Sequence, residues 1–211
     1  MNPKLLACLF LIGLAVCFPF AFAPKTVSAE RLVDPSTLNP PLPPQVNPVC
    51  ERVGGGTICT ITFSDPPFAG GSGIVCGSGA NTFEAFQFQT RSVRGRRYYD
   101  QNGNLTRRHF QEVLDGTFTN PLTHVAVSFS GRDTHLHDLS IPGDVSSGTE
   151  IITGSFRVYL PHGGSVLLEA GRTIEAADGS ALLSESGPHP LADYFVFGDT
   201  TAVQPLCDAL Q

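Results

Sequence analysis

Five side chains within sixteen positions form the densest group in this chain that could do chemistry: Arg94, Arg96, Tyr98, Arg107 and His109. Asn102-Gly103 lies midway between them. Such a pair supplies the positive φ that a two-residue hairpin turn demands. A two-residue loop also fixes the register, so that Arg97 faces Arg108, Tyr98 faces Arg107 and Arg96 faces His109. Alternation along the strands then gathers the five on one face. Like charges set opposite each other destabilise by on the order of a few tenths of a kcal/mol. A bound anion would relieve that repulsion, and arginine's planar donors suit carboxylate or phosphate. The plainer alternative is a solvated arginine face paired with the protein's own carboxylates.

Two further groups could carry chemistry. His135-Leu136-His137 places two imidazoles on one face of a strand, with His124, Asp133 or Asp138 near enough in sequence to complete a metal site. Two histidines two apart are a weak signal, so the expectation is no metal and no cofactor. Phe83, Phe86, Phe88, Phe110, Phe118, Phe129, Phe156, Phe195 and Phe197 are abundant beside an absence of tryptophan. In a small barrel such residues fill the core or line a ligand cavity. Nucleophilic catalysis has no motif: no Gly-x-Ser-x-Gly elbow occurs, and Gly71-Ser72-Gly73 sits in a glycine-rich loop. Phosphate-cradling glycine patterns are missing too.

These groups need a scaffold, and the first residues say where it is built. Residues 1–29 read as a secretory signal peptide: Lys4, an apolar run from Leu5 to Phe20, then small residues at Val27-Ser28-Ala29. An uncleaved anchor is the alternative. Cleavage before Glu30 removes Lys4 and Lys25 and no acid. Of 13 basic residues 11 remain, all arginine, against 19 acids, a formal charge of −8. That balance argues against nucleic acid or anionic membrane as partners. Loss of both lysines excludes Schiff-base chemistry in the mature chain. A secreted, extracellular protein is the expectation, with a small molecule as its partner.

Cys50, Cys59, Cys76 and Cys207 remain after cleavage. An even number in an exported chain reads as two disulfides, and no Cys-x-x-Cys pair supports zinc. A turn within Gly54-Gly55-Gly56 would set Cys50 opposite Cys59, which leaves Cys76 to pair with Cys207.

Proline at positions 35, 40, 41, 43, 44 and 48 marks residues 30–48 as an extended linker. The domain proper is 49–211. Its pattern is strand and turn. Val125, Val127 and Phe129 share a face, as do Phe156, Val158 and Leu160. Val166-Leu167-Leu168 is apolar throughout, as a strand covered on both sides would be. Gly163-Gly164 and Asp178-Gly179 mark further tight turns. The only helical period is terminal, at Val203, Leu206, Cys207 and Leu210. About eight short antiparallel strands must manage their edges, and closure into an up-and-down barrel is the simplest way. The expected fold is therefore all-β: one antiparallel barrel with a short C-terminal helix, or alternatively a β-sandwich.

Several stretches in this order carry a resemblance. They are Cys50 to Cys59, Tyr98 to Arg108, Gly116 to Pro121, Asp138 to Asp144 and Glu169 to Arg172. Together they resemble an uncharacterised family of exported, largely actinobacterial proteins. More loosely, the layout is similar to allene oxide cyclase, dirigent and lipocalin barrels. The resemblance implies a fold and no catalytic residue. Three functions stay open: a module binding a small apolar or anionic molecule, a barrel-type cyclase or isomerase, and a structural or protein-interaction domain. The first is the reading adopted.

Overall fold

The computed structural model describes residues 31–211, and the leader read at 1–29 lies outside them. Glycine turns set the strand order. The chain reverses over Gly54-Gly55, with Gly54 at φ +60°, so that β1 (Val49–Val53) pairs with β2 (Gly56–Ser64). Gly103 takes φ +80° between β4 (Phe83–Tyr99) and β5 (Leu105–Thr119). The Asp100 carboxylate accepts from the backbone N–H of Asn102 and Asn104 at 2.8 and 2.9 Å, which locks this turn. Arg97 pairs with Arg108, Tyr98 with Arg107 and Arg96 with His109, as the two-residue loop predicts. The loop itself is longer, because an irregularity after Tyr98 sets Tyr99 opposite Leu105.

β6 (Ala126–Asp138), β7 (Thr149–Tyr159), β8 (Ser165–Ala176) and β9 (Leu182–Ser186) follow, each antiparallel to its neighbour. The sheet has nine strands in the order β1-β2-β4-β5-β6-β7-β8-β9, with β3 (Phe68–Cys76) beside β4. The protein is all-β, but the hydrogen-bonded ladder does not close into the eight-stranded barrel expected from the turns. The reason lies in β4. It is 17 residues long and carries two partners on one edge, β2 along 92–99 and β3 along 83–89. Neither of those strands pairs with β9.

Helices occupy the opening. α1 (Pro190–Phe197) has no counterpart in the sequence reading, which placed a helix only at the C-terminus. The Tyr194 hydroxyl donates to the Gly73 carbonyl at 3.2 Å and accepts from the Val75 N–H at 3.0 Å, so α1 grips the edge of β3. Its other end is held from β8, where Glu169 accepts from the Leu191 N–H at 3.1 Å. α2 (Gln204–Ala209) carries Pro205 in its first turn, where proline costs nothing. Val203, Leu206, Cys207 and Leu210 are buried against Phe83, Phe118, Val127 and Phe129. Both disulfides form, Cys50–Cys59 across β1 and β2 and Cys76–Cys207 from β3 to α2.

Two sequence expectations change here. The proline-rich stretch is no free tether. Leu38 and Leu42 are 5% and 4% exposed and pack with Ile61, Tyr99 and Leu105. Val33 donates to the Cys50 carbonyl at 3.0 Å, which covers the edge of β1. Prolines bring no N–H to satisfy, so short 3-10 turns at Pro35–Thr37 and Pro44–Val46 suffice to bring those leucines onto the sheet. The apolar run at 166–168 is covered on one side only, with Leu167 buried and Leu168 exposed. Among the described residues no helix is long and apolar enough to cross a membrane. The two disulfides fit an oxidising compartment.

Removing Cys76–Cys207, which spans 131 residues, should cost about 5 kcal/mol, against about 2–3 kcal/mol for Cys50–Cys59, which spans 9. Urea unfolding of the two paired Cys→Ser variants measures both, and equal losses would contradict the long-loop origin. Leu42→Ala should cost about 2–5 kcal/mol by the same assay, where a free tether would cost nothing.

Candidate functional site

The pairing register divides the charged residues between two faces. Arg94, Arg96, Tyr98, Arg107 and His109 do share a face, and it is the outer one: the three arginines are exposed and the other two partly so. There Arg107 is ion-paired with Asp138 of the next strand. That bond raises the Arg107 pKa further above its ordinary value.

The inner face holds a second set that the sequence reading did not assemble. From β4 come Arg91 and Arg97. β5 adds Arg108 and Glu112, β6 Asp133, His135 and His137, β7 Glu150, and β8 Glu169 and Glu175. This band lies between two apolar clusters, one under α2 around Phe118 and Phe129, the other under the N-terminal segment around Ile61 and Leu105. Charges in a low-dielectric interior must be paired or shift their pKa. Most are paired. Arg91 donates to Asp65 and Glu112, each at 2.7 Å, and those bonds raise its pKa, Glu112 chiefly. His135 Nδ1 lies 3.0 Å from Glu150, a bond that raises the histidine pKa and lowers that of Glu150. His137 is 1% exposed, with Nε2 2.7 Å from the Ser147 carbonyl and Nδ1 facing Arg108. Both its ring nitrogens are engaged. Among the described residues no group of three His, Cys, Asp or Glu is placed to hold a metal ion.

Two cavities open on this face and share Ile152. The first, about 370 Å³, lies between the sheet and α1. Its apolar wall includes Ile74, Leu114, Phe118, Phe156, Leu191 and Phe195. Its polar groups include Asp133, Glu169 and His189, with Gln87, Thr173 and Glu175 beside them. Burial pushes the Asp133 and Glu169 carboxyls above the usual carboxylate range, so they keep their protons longer than exposed acids do. His189 is 7% exposed, and its buried Nδ1 lacks a hydrogen-bond partner among the described residues, with the nearest Glu169 oxygen at 3.9 Å. Gly154 lines the same space. A Cβ there would strike the Asp133 carboxylate, so this glycine is what lets the acid lie flat against β7. The second cavity, about 310 Å³, is lined by Arg97, Arg108 and Phe110 with Ile61 and Phe63, and also by the carboxylates of Glu112 and Glu150, which are bonded to Arg91 and His135.

The phenylalanines divide by the same parity. Phe118, Phe129 and Phe156 stack inward with centroids 4.8 and 5.0 Å apart along the series. Phe86 and Phe88 point outward, 42% and 44% exposed. No protein-family model, curated protein or solved structure matches the chain.

The His135–Glu150 bond sets a pH window. The histidine's raised pKa gives stability that is complete below its unfolded value of 6.5 and fades as pH rises through the folded one. Glu150's lowered pKa gives stability that is complete above its unfolded value of 4.5 and fades in stronger acid. Glu150→Gln should therefore lower the melting temperature most between these two values and least at alkaline pH. It should also lower the His135 pKa seen in an NMR titration of the imidazole C–H. A His135 titration unchanged in the variant would break the assignment.

Proposed function

We propose that this chain is an exported, barrel-like binding module that holds a small, mostly apolar molecule in the cavity between its sheet and α1. The observation that carries this reading is the make-up of that cavity: an aromatic and aliphatic wall with two raised-pKa carboxyls and one orphaned imidazole nitrogen. Ligand sites generally combine an apolar lining with a few converging polar groups. A carboxyl and an imidazole nitrogen both exchange hydrogen bonds with a hydroxyl, so the favoured ligand carries a hydroxyl at one end. The leader-like residues 1–29 and the resemblance to exported barrels support the placement outside the cell.

A second reading is a proton-transfer catalyst of the cyclase or isomerase kind. The same two carboxyls favour it, since raised-pKa acids in a cavity are poised to exchange protons. Glu169→Gln separates the two: a catalyst loses turnover and keeps binding, whereas a binding module loses at most affinity.

Native mass spectrometry of protein purified from its own host should show a bound small molecule. Ala192→Phe, which fills the cavity from α1, should remove that extra mass while circular dichroism stays unchanged. If wild type carries no adduct, and no neutral apolar compound in a thermal-shift panel raises its melting temperature, the binding reading fails.

A further inference from the structure

We infer that Arg97 and Arg108 form an oxyanion site, for a carboxylate or a phosphate ester, in the second inner-face cavity. It is separate from the cavity under α1 and independent of the ligand proposed there.

Register sets the two guanidinium-bearing residues directly opposite each other across β4 and β5. Neither has a carboxylate within 4.0 Å among the described residues. The neighbouring acids are already engaged. Glu112 accepts from Arg91 and lies 3.9 Å from His135, while Glu150 is bonded to His135 and acts on Arg108 only through its field. Arg108's own partner is an imidazole: its Nε donates to His137 Nδ1 at 3.0 Å. If His137 Nε2–H donates to Ser147, as the 2.7 Å contact allows, Nδ1 is a neutral lone pair. That satisfies a donor and cancels no charge.

Arg97 is less satisfied still. Its Nε is buried and finds no hydrogen-bond partner among the described residues. An orphaned donor on a cation is costly, more so with a second cation opposite. Burial chiefly lowers the Arg108 pKa; the field of Glu150 opposes this and that of Arg97 adds to it.

The geometry is also organised. Both guanidinium carbons lie over the Phe110 ring, at 5.9 and 5.8 Å from its centroid. The ring in turn covers Gly95, where a Cβ would collide with it. Phe110 thus lies within cation–π range of both guanidiniums and ties them to one ring. Two guanidinium forks match the oxygens of one carboxylate or phosphate. Ile61, Phe63 and Val46 add an apolar wall, and the volume of about 310 Å³ leaves room for a short apolar body behind the anionic head.

The test uses wild type with Arg97→Gln, Arg108→Gln and, on the outer face, Arg96→Gln. Isothermal titration is run with inorganic phosphate, sulfate and hexanoate. Wild type and Arg96→Gln should bind one of these saturably, and either inner-face variant should weaken that binding by about tenfold or more. Phosphate binding with no response to hexanoate would point to a phosphate ester, and the reverse to a carboxylate; either outcome supports the site. In wild type alone, NMR should show the Arg97 and Arg108 Nε–H signals moving on titration while those of Arg94, Arg96 and Arg107 stay. That measurement stands even if the inner-face variants fail to fold. Absence of saturable binding in wild type, equal binding by all four proteins, or movement of the outer arginines alone would overturn the proposal. Ala192→Phe should leave anion binding intact, so failure here and failure of the first cavity read separately.

Discussion

Side chains alternate across a strand, so the pairing of β4 with β5 decides which half of the chain's charges face inward. A slip of one residue would exchange Arg97 and Arg108 for Arg96 and Arg107. It would also turn the buried Val93 and Phe118 to solvent. The turn at 100–104 prevents this. Asp100 holds two backbone amides, Gly103 takes a φ that other residues resist, and the Thr106 hydroxyl donates to the Tyr98 carbonyl at 3.0 Å. Every later strand inherits its parity from this hairpin, because each is antiparallel to the one before.

The failure of the ladder to close is what creates room. A nine-stranded sheet with both ends unpaired has edges that need cover. Here the covers are unlike one another. The N-terminal segment lies along β1, whereas α1 and α2 bridge from β3 to β8. The Cys76–Cys207 disulfide and the Tyr194 hydroxyl hold the helical cover in place without filling the interior. The cavity under α1 is the space left between the sheet and a short helix held to it through Leu191 and Tyr194.

The inner band of charge is the other consequence. Two apolar clusters supply the hydrophobic stabilisation, and between them the sheet carries arginines, acids and histidines that a purely structural core would not contain. Their pairing is nearly complete: Arg91 with Asp65 and Glu112, His135 with Glu150. The buried side-chain atoms left without a partner among the described residues are Arg97 Nε on one side and His189 Nδ1 on the other. An orphaned polar atom in an otherwise bonded interior calls for an explanation, and the ligand sites proposed above supply one.

Much of this was legible in the sequence because it depends on neighbours along the chain. Glycine turns and period-two runs carried the all-β class, the hairpin pairs from 96 to 109, the burial of Val127, Phe129 and Val158 and the Cys50–Cys59 bridge; helical spacing at 203–210 carried the terminal helix, and the two cysteines left over carried Cys76–Cys207. The face of β4 was not legible. One parity offers Phe86, Phe88 and Tyr98, the other Phe83, Ala85 and Val93, so hydrophobicity does not choose between them. The choice falls to contacts distant in sequence, with α2 covering Phe83 and the N-terminal segment covering Tyr99. For the same reason the five outer residues were grouped correctly, yet which face they occupy could not be read. Helix α1 and the docking of Leu38 and Leu42 were hidden too, since each is stabilised by a surface built from remote strands. Local sequence determined the strand-and-turn class and the registers of the β1–β2 and β4–β5 hairpins. Only the tertiary structure decided which side is the inside, because burial is a property of what comes to lie opposite.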